Sequence, residues 1–139
     1  MIRELTIDDN IRFLELGSLI KEGFSKLYNL NSLLNSDNDY IYGYYENDIL
    51  LGFLHITKSF EIIDIVNIVV DNNYRRRGIA TKLINHLNNS FEDVKEIFLE
   101  VSNLNEGAIK TYLANGFQTI NVRKKYYGNA DALVMKRDV

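Results

Sequence analysis

The stretch Ile63–Ile84, IDIVNIVVDNNYRRRGIATKLI, contains a buried strand, a polar turn and the start of a helix in direct succession. The segment Glu61–Val70 is β-branched and apolar nearly throughout, as expected of a central strand that is covered on both faces. It stops at Asp71-Asn72-Asn73, and a helix follows whose apolar face is formed by Ile79, Leu83, Ile84 and Leu87. This βα unit predicts an α/β fold.

Arg75, Arg76 and Arg77 stand where that helix begins, in a chain with a net charge of −3. A helix N-terminus is the positive end of the macrodipole, so three cations are locally unfavourable there, and an external anion would remove the conflict. The turn also directs backbone N–H groups at one point, and Gly78 would let a ligand approach closely. On spacing alone, two interpretations stay open, a phosphate-binding turn and a solvated basic turn. It is neither a Walker loop nor a dinucleotide fingerprint, because no Gly-Lys-Ser/Thr follows and only one glycine is present.

The remaining patterns predict one domain, residues 1–139, with the element order β-α-α-β-β-β-α-β-α-β-β. This order indicates a mixed sheet with helices on both faces. Two short helices are expected between residues 11 and 34, and a later helix should end at Asn115-Gly116, a left-handed C-cap. The predicted strands are Ile2–Ile7, Tyr40–Tyr45, Ile49–Thr57, Glu61–Val70, Glu96–Val101, Phe117–Tyr127 and Ala132–Lys136.

Composition excludes several classes of function. The chain has 46% hydrophobic and 25% charged residues, no apolar run of about 18 residues and no signal-peptide pattern, so we expect a cytoplasmic protein without a membrane partner. The absence of cysteine rules out disulfides, thiolate metal sites and a cysteine nucleophile. A pI near 5.4 argues against nucleic acid as a partner. His55 and His86 lack acidic neighbours in ligand spacing, so we expect no metal site and structural or exposed histidines.

Around the arginine turn the chain resembles the GNAT family of acetyl-CoA-dependent N-acetyltransferases, whose central motif is Gln/Arg-x-x-Gly-x-Gly/Ala. Arg75, Gly78 and Ala80 match its fixed positions. The segment IFLEVSNLNEGAIKTYLANGF is similar to the family's Leu-Glu-Val strand and Asn-x-x-Ala-x-x-x-Tyr helix, and RKKYYGNADALVMK to its closing hairpin. The resemblance covers Ile62 to Lys136 and points to the RimI type, which acetylates the N-terminal alanine of a ribosomal protein.

The resemblance implies a GNAT-like fold in which parallel strands Ile63–Val70 and Glu96–Val101 splay apart around the pantetheine arm of coenzyme A. The pyrophosphate would lie on the amides of residues 75–80, and a backbone N–H near Val69 or Val70 would bind the acetyl oxygen. Asn105 is equally well explained as a helix cap. The cosubstrate residues implied in this way are Ile68, Val69, Val70, Arg75, Arg76, Arg77, Gly78, Ile79, Ala80, Thr81 and Asn105.

Acetyl transfer to an amine needs an unprotonated nucleophile, donors for the oxyanion and a proton for the thiolate. The resemblance makes Glu100 the general base, acting through water, and Tyr112 the proton donor. The alternatives are an outward-facing carboxylate for Glu100 and a core tyrosine for Tyr112. Asn67 and Tyr126 are candidate substrate contacts. Packing explains Tyr126 and Tyr127 equally well, and Asn67 and Asp64 are equally explained as satisfied polar groups of the core.

The acceptor is less well defined than the donor. Deprotonating an α-amine with a pKa of about 8 costs less than about 1 kcal/mol near pH 7.5, against roughly 4 kcal/mol for lysine, which favours an N-terminal amine. Ser102 and Leu104 depart from the subgroup's arginine and serine, and the aromatic-Pro-Trp segment is missing. The leading hypothesis is therefore acetylation of a protein or peptide α-amine in a ternary complex, by a monomer or dimer. The alternatives are a small-molecule amine, such as a polyamine or amino acid, and a silent acyl-CoA-binding module.

Overall fold

A seven-stranded mixed sheet runs through the computed structural model, which describes residues 1–139. The strand order is β1-β2-β3-β4-β5-β7-β6, and every neighbouring pair is antiparallel except β4 and β5. The strands are β1 (Ile2–Glu4), β2 (Asp39–Glu46), β3 (Ile49–Ser59), β4 (Ile62–Val70), β5 (Glu96–Ser102), β6 (Gln118–Arg123) and β7 (Ala132–Asp138). The helices are α1 (Asn10–Gly17), α2 (Phe24–Leu27), α3 (Leu30–Leu34), α4 (Ile79–His86) and α5 (Glu106–Ala114). None of them combines the length and apolar composition needed to cross a membrane.

The mixed α/β architecture is confirmed, and the differences from the predicted elements are local. Three short helices occupy the N-terminal segment where two were predicted, because the Asn29 side chain accepts a hydrogen bond from the Ser32 amide and starts a new helix at Leu30. The predicted strand Phe117–Tyr127 ends at Arg123. Left-handed Lys125 and Gly128 bend the chain into a turn that carries both tyrosines.

A β-bulge in β4 reverses which face of the sheet its side chains occupy. His55 of β3 pairs with Asn67 and Ile56 pairs with Ile65, so Val66 has no partner. Before the bulge, Ile63 and Ile65 pack in the core that α4 and α5 cover. After it, Val69 packs on the opposite face, in the core formed with α1, α2 and α3. The alternate residues Ile68 and Val70 consequently point toward α4 and α5.

The parallel strands β4 and β5 are joined only at their beginnings. Their register contains three pairs, Ile62 with Glu96, Ile63 with Ile97 and Asp64 with Phe98. Beyond these pairs β4 continues along β3 as far as Val70, while β5 continues along β7 as far as Ser102. The strands therefore diverge and leave a gap in the middle of the sheet, which confirms the predicted splayed pair.

His55 belongs to a buried polar network on the α1–α3 face. Its side chain is 2% exposed, and its Nε2 lies 2.6 Å from Oδ1 of Asp39. Asp39 also accepts a hydrogen bond from Ser36 at 2.7 Å, and Nδ2 of Asn67 lies 3.5 Å from Nδ1 of His55. Burial lowers the pKa of His55 although Asp39 acts to raise it. The neutral imidazole donates to Asp39 and presents Nδ1 as an acceptor to Asn67.

We expect acidification to weaken the fold through His55. Because the pKa of the folded residue lies below the usual 6.5, the unfolded chain binds a proton there first, and the free energy of unfolding falls as the pH drops from 6.5 toward the lower folded value. Urea unfolding at about pH 7.5 and about pH 5.5 measures this loss. The loss should be smaller in His55→Gln, which cannot titrate. Equal losses in both proteins would contradict the assignment.

The turn into α4 requires glycine at position 78. Gly78 has a φ of 76°, and a Cβ there would meet no neighbour within 4 Å, so the cost of a side chain is backbone strain alone. Gly78→Ala should lower the free energy of unfolding by about 1 kcal/mol. Gly107 is the matched control, since it is equally open but lies within α5 without a left-handed φ. Gly107→Ala should raise that free energy by a few tenths to about 1 kcal/mol, and urea unfolding giving the same sign for both would refute the explanation.

Candidate functional site

A cavity of about 610 Å³ lies where β4, the turn that follows it, α4 and α5 meet. Every residue of the predicted cosubstrate set except Arg77 lines this cavity, and so does Tyr112. Two apolar residues that sequence reasoning missed, Leu19 and Ile20, also line it, because a leucine and an isoleucine after a helix carry no local signal of a binding site. The lining residues are Leu19, Ile20, Ile68, Val69, Val70, Tyr74, Arg75, Arg76, Gly78, Ile79, Ala80, Thr81, Asn105, Gly107, Ala108, Thr111 and Tyr112.

The backbone amides of Arg75–Thr81 donate no hydrogen bond to the protein. The first bond of the helix runs from the Lys82 amide to the Gly78 carbonyl at 3.0 Å, so the preceding amides have no partner within α4. Several unpartnered N–H groups at the positive end of a helix favour an anionic ligand. The turn therefore has the chemistry of a phosphate site.

The three arginines of the turn take different directions. Arg75 and Arg76 line the cavity, and Nε of Arg75 donates to the Val70 carbonyl at 3.4 Å. Arg77 lies outside the cavity and donates to both carboxylate oxygens of Glu46, at 3.0 and 2.8 Å. Two of the three arginines thus belong to the cavity, and the third ties the turn to the β2–β3 hairpin.

The N–H of Val70 faces the gap between β4 and β5. The amide of Asp71 donates to the Leu51 carbonyl of β3 at 2.8 Å, so strand alternation turns the backbone groups of Val70 to the other edge of β4. The contact from Arg75 to the Val70 carbonyl agrees with this orientation. By the same alternation Val69 pairs with Phe53 of β3. Of the two predicted donors, Val70 is the one that faces the gap.

Tyr112 lines the cavity from α5. The residue is 8% exposed, and its ring packs edge-on against Phe117 with centroids 6.0 Å apart. Burial raises the pKa of Tyr112 to about 12. No protein group hydrogen-bonds the hydroxyl, and it is not sealed from solvent. It is therefore a protonated donor without a partner in the protein.

Asn105 caps α5 and also lines the cavity. Its Oδ1 accepts a hydrogen bond from the Ala108 amide at 3.2 Å, while its Nδ2 donates to no protein group. The two explanations from the sequence are compatible, because the cap uses the oxygen of the side chain and leaves the nitrogen available.

Glu100 lies on the opposite face of the sheet from Tyr112. Its neighbours Leu99 and Val101 point into the core beneath α4 and α5, so alternation along β5 directs Glu100 away from the cavity. Its carboxylate lies 3.3 Å from the guanidinium of Arg123, and its side chain is 31% exposed. Glu100 does not line the cavity, and the gap between β4 and β5 lies between the two strands that carry Val70 and Glu100.

An aromatic turn lies beside Glu100. The rings of Tyr126 and Tyr127 meet edge-on at 5.2 Å, and Arg123 lies 5.3 Å from the Tyr126 ring. Burial, with a contribution from the charge of Glu100, raises the pKa of Tyr127. Asp131 fixes this turn by accepting from the Lys125 amide at 2.8 Å. The turn therefore forms a wall on the face that carries Glu100.

Asn67 is only 9% exposed and contacts His55. It does not line the cavity. Its Oδ1 accepts no hydrogen bond from the protein and is not sealed from solvent. Asp64, which pairs in register with Phe98 where the gap begins, is exposed, and partial burial raises its pKa. The structure therefore gives Asn67 a core contact and leaves its oxygen open.

Comparison with known proteins places the chain among acetyltransferases. The model of the acetyltransferase (GNAT) family matches residues 6–117. The N-alpha-acetyltransferase RimI of Mycobacterium tuberculosis is 33% identical over 115 residues, which cover 78% of this chain and 72% of that protein. A protein of Mycobacterium leprae is 38% identical over 113 residues, but these cover 76% of this chain and only 31% of the longer relative.

Solved structures share the whole fold. The ribosomal-protein-S18-alanine N-acetyltransferase of Escherichia coli superposes with a TM-score of 0.86 over 100% of this chain and 93% of that one, at 22% identity. The PaiA N-acetyltransferase of Thermoplasma acidophilum, solved with coenzyme A, gives a TM-score of 0.85 over 100% and 98% of the two chains, at 19% identity. From the family match and the Mycobacterium tuberculosis relative, this chain belongs to the GNAT family of acetyltransferases.

Proposed function

We propose that this protein transfers the acetyl group of acetyl-CoA to the N-terminal α-amine of a protein or peptide, by direct attack in a ternary complex. The observation that carries the proposal is one cavity lined both by residues of the turn whose amides have no partner, Arg75, Arg76 and Gly78–Thr81, and by Tyr112, whose hydroxyl has no partner in the protein. A pyrophosphate suits the amides and a leaving thiolate suits the hydroxyl, and acetyl-CoA carries both groups. The relative solved with coenzyme A and the relative named as an N-alpha-acetyltransferase support this assignment.

The donor would lie in the gap between β4 and β5, with its phosphates at the turn. Arg75 and Arg76 line this part of the cavity and can form charge-assisted hydrogen bonds to phosphate oxygens. The N–H of Val70 faces the gap and would donate to the acetyl oxygen as negative charge develops on it. Nδ2 of Asn105 is free to bind an amide carbonyl of the pantetheine arm.

Tyr112 would act on the departing sulfur. With a pKa of about 12, its hydroxyl keeps its proton throughout the range in which the amine is a nucleophile. Full transfer to a thiolate with an ordinary pKa of about 8.5 is uphill by about 5 kcal/mol. The hydroxyl therefore serves best as a hydrogen-bond donor that stabilises the thiolate while the carbon–sulfur bond breaks.

Glu100 would receive the proton of the acceptor from the other face of the gap. One of its oxygens contacts Arg123, and no ion pair or hydrogen bond engages the second, Oε2, so a water between it and the amine can pass on the proton. The neutral nitrogen then forms a bond to the acetyl carbon and the carbon–sulfur bond breaks. The nitrogen gives up its second proton, which neutralises the departing thiolate, so the products are the acetylated amine and free coenzyme A, and Glu100 returns its proton to water. Tyr126 and the open oxygen of Asn67 are the further acceptor contacts that we propose.

The α-amine is the acceptor that this single carboxylate serves best. Deprotonation near pH 7.5 costs less than about 1 kcal/mol for an α-amine with a pKa of about 8 and roughly 4 kcal/mol for a lysine. A positioned base accelerates a reaction about 10²–10⁴-fold, or roughly 3–5 kcal/mol, so the cost of the α-amine leaves most of this gain for the reaction, whereas the cost of a lysine consumes nearly all of it.

The test is mass spectrometry of peptides incubated with the protein and acetyl-CoA. One set has free N-termini beginning with Ala, Ser or Met, and the other has blocked N-termini and an internal lysine. We expect acetyl groups on the free α-amines only. Glu100→Gln and Tyr112→Phe should each lower kcat by about 10²-fold, while binding of acetyl-CoA stays within about twofold of wild type.

Thr119→Ala is the control variant, since this exposed residue on β6 touches neither the cavity nor Glu100 and should keep the wild-type rate. Wild-type turnover in both Glu100→Gln and Tyr112→Phe would overturn the mechanism. Acetylation of neither peptide set, with binding of acetyl-CoA intact, would overturn the peptide acceptor and leave a small amine or a silent acyl-CoA-binding protein.

A further inference from the structure

The loop Asp71–Gly78, which would hold the pyrophosphate, has a strained backbone and makes few hydrogen bonds within itself. Arg76 has a φ of 63°, a left-handed conformation that a residue with a side chain rarely adopts. The amides that follow it have no partners in the protein. Such a conformation persists only where the surrounding structure holds it in place, so the groups that anchor the loop determine whether its amides converge.

Arg12 of α1 anchors the start of this loop. Its Nε donates to the Leu50 carbonyl at 2.8 Å, and its Nη2 donates to Oδ2 of Asp71. The other oxygen of Asp71 accepts from the Asn73 amide at 2.8 Å, and the Asp71 carbonyl accepts from the Tyr74 amide at 2.9 Å. One guanidinium group thus joins α1, the start of β3 and the residue at which β4 becomes the loop.

A second ion pair holds the far end of the loop but is more exposed. Arg77 and Glu46 have side chains that are 46% and 33% exposed, against 28% and 16% for Arg12 and Asp71. Water and salt screen exposed pairs more strongly. The planar guanidinium of Arg12 also bonds acceptors on two elements through two separate nitrogens in a fixed geometry, which the single nitrogen of a lysine does not reproduce. The Arg12–Asp71 contact is therefore the stronger anchor of the two.

The same helix positions the opposite wall of the cavity. α1 ends at Gly17, and the chain that leaves it contributes Leu19 and Ile20 to the cavity lining. Leu19 also lines a smaller neighbouring cavity of about 440 Å³ together with Arg12 and Asp71. Arg12 consequently sets the position of the loop relative to the helix that leads into the facing wall.

We infer that Arg12 is a positioning residue for acetyl-CoA, which acts through Asp71 to hold the loop Asp71–Gly78 in the conformation that binds the pyrophosphate. This inference rests on the proposed function. Without the anchor the loop populates other conformations, and binding must also order it. The apparent affinity for acetyl-CoA then falls in proportion to the fraction of molecules whose loop is in the binding conformation. The chemistry after binding is unaffected, because Arg12 touches no reacting group.

The test is calorimetric titration of the full-length protein with acetyl-CoA, combined with kcat at saturating acetyl-CoA. We expect Arg12→Ala and Asp71→Asn each to raise the Kd by about tenfold. The double variant should bind acetyl-CoA no more weakly than the single variant with the higher Kd, because both substitutions remove the same contact. Arg12→Lys should recover little affinity. In each variant kcat should stay within about twofold of wild type.

Lys58→Ala is the matched control, because it breaks the Lys58–Asp93 ion pair of 3.0 Å, and neither residue lines the cavity. It should leave the Kd unchanged even if it lowers Tm. Wild-type Kd values in the folded Arg12 and Asp71 variants, with only Tm reduced, would show a merely structural role and overturn the inference. If Arg12→Ala does not fold, Arg12→Lys and Asp71→Asn decide the question. Failure of the wild-type protein to bind acetyl-CoA would instead overturn the proposed function and this inference with it.

Discussion

The structure depends on an interruption of hydrogen bonding in the middle of its sheet. β4 and β5 share three register pairs and then separate, so each strand keeps its outer partner and leaves its inner edge unpaired along the gap. Backbone N–H and C=O groups require partners, and a gap edged by them favours either water or a ligand with amide groups of its own. A pantetheine arm has such groups, which is why the gap and the phosphate turn at its end together fit one extended thioester.

The bulge at Val66 gives the gap different surroundings on its two sides. It turns Ile68 and Val70 toward α4 and α5, where the proposed donor site lies, and turns Asn67 and Val69 toward the other face. The same shift directs the Val70 amide into the gap. One inserted residue thus turns apolar side chains into the cavity and, in the proposed mechanism, aims the Val70 amide at the acetyl oxygen and places the thioester and Glu100 on different faces.

How much of this could be predicted from the sequence depends on the range of the interactions. The unit from β4 through the turn to α4 depends on local interactions, so its apolar run, its glycine and its helical period were sufficient to predict the strand, the turn and the helix. The bulge was not predicted, because Ile63, Ile65, Ile68 and Val70 are all apolar and β-branched and therefore suit either face of a covered strand. Arg77 was expected at the cosubstrate but pairs with Glu46, and Arg12 pairs with Asp71 across 59 positions of sequence. Contacts between residues so far apart in the sequence cannot be recognised from the spacing of residues in a motif.

The proposed acceptor side is assembled from distant segments, so its specificity is harder to predict than the chemistry of the family. Glu100 comes from β5, the tyrosine turn from the β6–β7 connection and Asn67 from β4, and only the tertiary fold brings these segments to one face. The departures from the RimI pattern fall here. The Ser102 hydroxyl accepts a hydrogen bond from the Leu104 amide at 3.2 Å and so shapes the turn into α5. The Leu104 side chain is 66% exposed. Because the cavity proposed for the donor is built from other residues, changes on the proposed acceptor side leave that cavity intact.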